Sequence, residues 1–267
     1  MEAGPFMPDE EREGSLLREI RDIRVQLDQL EAQLEEAARQ EPRPSPGQVP
    51  TFVEGFDAAL GGGIPEGHVV LLHGPTGTMK TSLALYILAK NQARGMRCLH
   101  LTLEEDRGSL RRTLAGLGLD PEDYIVDIAT LRAEHGLAEE AGDWLDILLA
   151  YLERKAQDGL DLLALDPLDA LFDMAQIRAP RQALFRFFRF LRGAGITALL
   201  LVEGDDFLYG EERVADGVLQ VTQRELEGGL VSLWMRCVKM RHAAHSRDFH
   251  RLEFRDGAFR ARPLLSL

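Results

Sequence analysis

Eight consecutive residues, Gly74-Pro75-Thr76-Gly77-Thr78-Met79-Lys80-Thr81, combine a glycine-bearing turn with a lysine and a hydroxyl. The apolar run His68-Val69-Val70-Leu71-Leu72 precedes them, and Ser82-Leu83-Ala84-Leu85-Tyr86-Ile87-Leu88 follows as the start of a helix. A buried strand, a tight loop and a helix N-terminus in that order form a cradle for phosphate: backbone N–H groups wrap the anion and the positive helix end faces it. The spacing is that of a P-loop, G-x-x-x-x-G-K-[ST], in which Lys80 reaches the β- and γ-phosphates and Thr81 holds Mg²⁺. Gly74, Pro75, Thr76, Gly77, Thr78, Met79, Lys80, Thr81 and Ser82 are therefore the expected nucleotide-binding residues, with ATP and Mg²⁺ as cofactors. One position departs from the pattern, because Met79 stands where the second glycine belongs. A Cβ there can crowd the phosphates, although the Met79 N–H remains and its side chain is able to turn away. Binding follows from the motif more directly than hydrolysis does.

Phosphoryl chemistry needs carboxylates beside such a loop. Leu160-Asp161-Leu162-Leu163-Ala164-Leu165-Asp166 is an apolar run that ends in an acid, so Asp166 at a strand end is the expected second contributor to the Mg²⁺ shell. Asp169 and Asp173 just beyond it read as loop carboxylates. Glu104 and Glu105 close the strand after the P-loop helix, where a carboxylate orients or deprotonates the attacking water. The same pair also reads as acids favoured by a helix start ahead of Asp106–Arg112.

Strands and helices must alternate to hold these groups. Strands are expected at Arg97–Thr102, Tyr124–Ile128, Leu160–Asp166 and Ile196–Val202, with helices over Gly108–Leu117, around Gly136–Gln157 and over Pro180–Arg192. Continuous apolar runs alternating with helices predict an α/β fold with a mainly parallel sheet buried on both faces. Gly217–Thr222, Leu230–Lys239 and Asp248–Arg255 follow one another without helices, which predicts a C-terminal antiparallel meander.

The 267 residues are 45% hydrophobic, enough for one large core and against global disorder. A formal charge of −13 makes nucleic acid an unfavoured partner unless a local basic patch exists. Cys98 and Cys237 lie in strand-like runs and read as small buried groups in a reducing compartment. No apolar run reaches membrane-spanning length and Met1–Glu13 is acidic, so a cytoplasmic protein without membrane association is expected.

Pro8 to Gln40 carries Leu16, Ile20, Ile23, Leu27, Leu30, Leu34 and Ala37 at alternating steps of four and three. This predicts a coiled-coil helix over 1–40, for self-association or for docking on a partner helix, with an amphipathic helix folded back on its own domain as the alternative. Residues 41–50 are proline-rich and predict a semi-rigid linker. The α/β domain then spans 51–267.

Four further stretches form an ordered set. They are Gly55-Phe56-Asp57 through Leu60-Gly61-Gly62-Gly63-Ile64-Pro65-Glu66-Gly67, then Leu103-Glu104-Glu105, then Tyr209-Gly210-Glu211-Glu212-Arg213-Val214-Ala215-Asp216-Gly217-Val218, and Lys239-Met240-Arg241-His242-Ala243-Ala244-His245-Ser246. With the P-loop, they make Thr51–Arg262 resemble the KaiC-like branch of the RecA-type ATPases. That resemblance implies a RecA-like core, catalytic roles for Glu104 and Glu105, and assembly as a homo-oligomer, commonly a hexameric ring with ATP between subunits. It also implies that Lys239 and Arg241 reach a neighbour's γ-phosphate, a role for positive charge that suits phosphoryl transfer; the residues alone read as a solvated basic strand end. The clock protein of that family carries two such domains in tandem, so neither clock function nor self-phosphorylation transfers to one domain.

Three functions are thus expected in order: a Mg²⁺-dependent regulatory ATPase acting through assembly or partner binding, a nucleotide-gated adaptor without turnover, and a recombinase-like DNA-dependent ATPase. The last lacks an evident DNA-binding appendage. His242, His245 and His250 have no accompanying ligand set for another metal. Arg181, Arg186, Arg189 and Arg192 alternate with Phe185, Phe187, Phe188 and Phe190 on one helix, which reads as a core face opposite an exposed or intersubunit one rather than a nucleic-acid stacking surface.

Overall fold

The buried strand before the P-loop sits at the centre of the molecule. In a computed structural model, the described residues run from 47 to 263 apart from 121–123, 136–143, 175–178, 205, 208 and 227. The expected coiled coil over 1–40 lies outside them. In chain order the elements are β1 (Gln48–Val49), α1 (Phe56–Ala59), β2 (Ile64–Pro65), β3 (Val69–Gly74), α2 (Lys80–Gln92), β4 (Cys98–Thr102), α3 (Arg107–Gly116), β5 (Ile125–Asp127), α4 (Ile128–His135), α5 (Trp144–Gln157), β6 (Leu162–Asp166), α6 (Leu168–Met174), α7 (Pro180–Gly193), β7 (Thr197–Glu203), α8 (Glu211–Val214), β8 (Gly217–Glu225), β9 (Val231–Met240), β10 (His250–Arg255) and β11 (Ala258–Pro263).

Nine strands make one sheet in the order β11-β10-β9-β8-β3-β7-β6-β4-β5, and β1 pairs with β2 separately. Pairings from β8 through β3, β7, β6 and β4 to β5 are parallel, and those among β8, β9, β10 and β11 are antiparallel. Strand β3 shows why continuous apolar runs mark such a sheet. Successive side chains point to opposite faces, so Val70 and Leu72 enter one core with α2 and α3, while Val69 and Leu71 enter another with α5, α6 and α7. Both faces are dry, and alternation disappears from the sequence.

Several expectations change in detail. Gly217–Thr222 is antiparallel only toward β9; its other edge pairs parallel with β3, through Val70 beside Gly217. The stretch after β5 continues directly into α4, and the next helix begins, among the described residues, at Trp144. Asp169 and Asp173 are not in a loop, because α6 follows β6 at once. Strand β11 was not legible beforehand. Within the stretch expected as linker, Gln48 and Val49 are paired with Pro65 and Ile64 and Val49 is buried.

The Gly-Phe-Asp stretch ahead of the P-loop is held by one carboxylate. Buried Asp57 accepts from the Thr51 N–H at 2.8 Å, the Thr51 hydroxyl at 2.6 Å and the Phe52 N–H at 3.1 Å. Burial pushes its pKa up, opposed by these same hydrogen bonds. The chain thereby turns back across α2, where Tyr86 donates to the Phe52 carbonyl at 3.2 Å.

Candidate functional site

The P-loop leaves the C-terminal end of β3 at Gly74. A side chain there is excluded by the Val221 carbonyl of neighbouring β8, so glycine is required by a close approach of two backbones. The carbonyl of Gly74 accepts from the Gly204 N–H at 3.1 Å, which fixes the loop to the end of β7. Thr78 is buried and its hydroxyl closes the turn on the Pro75 carbonyl at 2.8 Å. Thr76 and Gly77 are exposed at the rim.

Helix α2 starts from Met79, whose φ of 65° and ψ of 24° are left-handed. This is the conformation for which glycine is favoured, and a side chain adopts it at a cost of roughly 1–2 kcal/mol. The Met79 side chain packs against the core under α2. The first intrahelical bond runs from the Leu83 N–H to the Met79 carbonyl at 2.9 Å. The N–H groups of Lys80, Thr81 and half-buried Ser82 therefore open toward the loop without an i−4 acceptor, as a phosphate cradle needs.

Lys80 is buried, and its Nζ donates to the carbonyls of Gly74 and Pro75 at 2.8 and 3.0 Å. Burial pushes its pKa down, while Glu203, Asp166 and Asp169 oppose that. The Thr81 hydroxyl lies near enough to Asp166 to lower its carboxyl pKa, so the two expected Mg²⁺-binding residues are neighbours. Burial pushes the Asp166 carboxyl up to about 6; the Thr81 hydroxyl and the Lys80 charge pull it down, and Glu105 and Glu104 push it up. Glu104, Glu105, Asp166, Lys80 and Thr81 thus share one electrostatic site at the C-terminal end of the sheet. Thr102 and Asp166 are register partners at the ends of β4 and β6, and the chain bends into Glu104 and Glu105 directly after. The Glu105 carboxylate accepts from the Ser109 hydroxyl at 2.9 Å, while Asp106 caps α3 through the Ser109 N–H. The helix-start role belongs to Asp106, which separates it from the glutamate pair.

Glu203 is absent from the site expected from sequence, where Asp169 figures only as a loop carboxylate. Glu203 ends β7 as Asp166 ends β6, accepting from the Thr76 hydroxyl at 3.4 Å, and its N–H donates to Asp169 at 3.0 Å. The signal was present, since Glu203 also closes a buried apolar run. Buried His100 lies beneath the site, with Nε2 3.9 Å from Asp166 Oδ2.

Lys239 and Arg241 are not brought to this P-loop. They flank Met240, whose register partner Gly217 pairs with Val70 at the N-terminal part of β3. Four residues of strand separate that level from Gly74, about 13 Å at the usual rise. Lys239 Nζ donates to the carbonyls of Glu212 and Ala215 at 3.0 and 2.6 Å, and Arg241 ion-pairs with Asp216 at 3.4 Å. Burial pushes the Lys239 pKa down and the Arg241 charge adds to this, with Asp216 opposing. Among the described residues no group of three or more His, Cys, Asp or Glu is placed to hold a metal ion, and no helix is long and apolar enough to cross a membrane.

This sheet order and this loop define a RecA-type P-loop fold. Residues 49–260 match the family described as "ATPase: KaiC", and the chain belongs to that family. It is 32% identical over 189 residues to the circadian clock protein KaiC3 of Synechocystis, covering 64% of this chain and 37% of that one. It is 28% identical over 240 residues to a UPF0273 protein of Methanopyrus kandleri, covering 81% and 92%. The solved structure of a KaiC-like protein from Pyrococcus horikoshii is similar with a TM-score of 0.71 at 29% identity, over 81% of this chain and 99% of that one. The chain spans only 37% and 40% of the length of the clock proteins KaiC3 and KaiC2.

Proposed function

We propose that this chain is a Mg²⁺-dependent ATPase whose sites are completed between copies and whose nucleotide state governs assembly or partner binding. The observation that carries the reading is the gathering of buried Lys80, Thr81, Asp166 and the Glu104–Glu105 pair at one end of the sheet. These groups suit a magnesium-bound nucleotide: an exposed glycine-bearing rim, free-facing N–H groups at a helix start, a lysine now satisfied by loop carbonyls, and a hydroxyl–carboxylate pair. Thr81 and Asp166 would hold Mg²⁺, which when bound draws negative charge off the phosphates. Lys80 and the N–H groups of the loop hold the β- and γ-phosphates in place. Glu104 and Glu105 orient water and take its proton. Lys239 and Arg241 meet the γ-phosphate of the next copy, which their position away from the chain's own P-loop supports. By the family likeness the assembly is a hexameric ring.

Steady-state phosphate release with Mg-ATP, beside direct ATP binding, tests this. Lys80→Ala is expected to remove binding and turnover, whereas Glu104→Gln with Glu105→Gln keeps binding and loses turnover by about 100-fold or more. Unchanged ATP affinity in Lys80→Ala overturns the P-loop assignment. A second reading, a nucleotide-gated adaptor, is favoured by left-handed Met79; binding without Lys80-dependent turnover is its signature.

A further inference from the structure

Two arginines converge on one carboxylate at the end of the sheet remote from the P-loop, and a lysine is bound to carbonyls of the same stretch. Asp216 is only 7% exposed. Its Oδ2 accepts from the Val69 N–H at 3.1 Å and from Arg192 Nε at 2.8 Å, and its Oδ1 accepts from Arg241 Nη1 at 3.4 Å. Arg192, from the last turn of α7, is itself held by donation from Nη2 to the Val214 carbonyl. Arg241 adds its N–H to the Asp216 carbonyl at 2.8 Å and Nη2 to the Arg213 carbonyl at 3.1 Å. Lys239 closes on the Glu212 and Ala215 carbonyls. The acceptors for both residues therefore come from one six-residue stretch, Glu211–Asp216, where the end of α8 leaves carbonyls without helical partners.

The arrangement orders the cations without consuming them. An ammonium carries three N–H donors and a guanidinium five, and the side-chain bonds just described use two of each. Lys239 and Arg241 lie two residues apart in β9, and Arg192 adds a third positive charge nearby. Like charges so placed repel unless a carboxylate sits among them. Burial alone would raise the Asp216 carboxyl, but the Arg192 and Val69 hydrogen bonds and the charges of Arg192 and His68 hold it below its ordinary value. It is the fixed anion of the cluster.

We infer that Asp216, braced by Arg192, is the positioning residue for Lys239 and Arg241, holding the pair ready for the γ-phosphate of a neighbouring copy. This rests on the intersubunit reading above. Asp216 acts through the two cations.

Asp216→Asn preserves an acceptor for the Val69 N–H and removes the charge, and Arg192→Lys keeps charge but loses the fork. With full-length protein, both are expected to keep ATP affinity, because the P-loop is distant, and to lose kcat by about tenfold or more with KM little changed. Mixed assemblies provide the readout that a merely structural role does not move. Co-expressed with Lys80→Ala chains, which keep intact cations but a disabled loop, Asp216→Asn chains are expected to regain turnover, since their own P-loops then face properly held cations. Wild-type kcat in Asp216→Asn overturns the inference. So does failure of that mixture when the parallel mixture of Lys239→Ala/Arg241→Ala with Lys80→Ala succeeds, because the intersubunit reading then stands and the role of Asp216 alone falls. If Lys239→Ala/Arg241→Ala keeps full turnover, or the wild type has none, the underlying reading is what fails and the inference falls with it.

Discussion

His100 is the residue whose placement has the clearest thermodynamic consequence. It is fully buried in β4, and neither ring nitrogen has a hydrogen-bond partner. Its 3.9 Å approach to Asp166 is too long for a hydrogen bond. Burial pushes the imidazole from 6.5 down to about 3. Between those values the unfolded chain binds a proton that the folded chain refuses, so this contribution is full above the unfolded value and lost as pH falls through the window. His100→Leu is expected to flatten Tm against pH between about 6.5 and 4 relative to wild type; parallel profiles contradict it. Met79 makes a second prediction at this scale. Its left-handed backbone tolerates an unbranched side chain better than a β-branched one. Met79→Val should therefore lose about 1–3 kcal/mol in urea denaturation.

Elements place these residues. Helix α7 has Leu184, Phe187, Phe188 and Leu191 fully buried, whereas Phe185 is 60% exposed. The expectation of phenylalanines inside and arginines outside is met at Phe187 and Phe188 and fails at Phe185. Helical spacing explains the split, since 184, 187, 188 and 191 share one face and 185 turns away from it. Phe187→Ala is expected to cost about 3–5 kcal/mol by leaving a cavity, and Phe185→Ala no more than about 0.5 kcal/mol; calorimetry of both distinguishes them. Two of the stretches that carried the family resemblance also meet in space. The Ser246 N–H donates to the Ala59 carbonyl at 2.8 Å, and a Cβ on Gly61 would stand 2.6 Å from the Ala244 carbonyl. The hairpin after β9 is thereby seated against the turn ahead of the P-loop, so signature residues distant in sequence serve one local packing contact.

For the molecule as a whole, the separation of Lys80 from Lys239 and Arg241 predicts that turnover belongs to the assembly. Specific ATPase activity should rise with protein concentration and then plateau, because dilution removes the neighbour that completes each site. Activity independent of concentration down to the dissociated species contradicts this. Deleting residues 1–40, the expected coiled coil, should leave ATP binding intact while changing the assembled mass in light scattering.

Much was legible in advance because it depends on local chemistry. Gly74 to Thr81 declared a phosphate loop, apolar runs ending in Asp166 and preceding Glu104 declared parallel strands, and the helix-free C-terminal stretch declared its hairpins. Residue type, spacing and hydrophobic period suffice for such features, since each follows from neighbours along the chain. What the tertiary structure alone decided involves partners far apart in sequence. Strand order brings Asp169 and Glu203 beside Lys80, gives β8 a parallel neighbour on one edge and an antiparallel one on the other, and packs half-buried Met79 against the core. It also gathers Arg192, Asp216, Lys239 and Arg241 into one cluster far from the P-loop. Long-range pairing is set by burying two faces of one sheet together, a condition on the whole chain that no single segment carries.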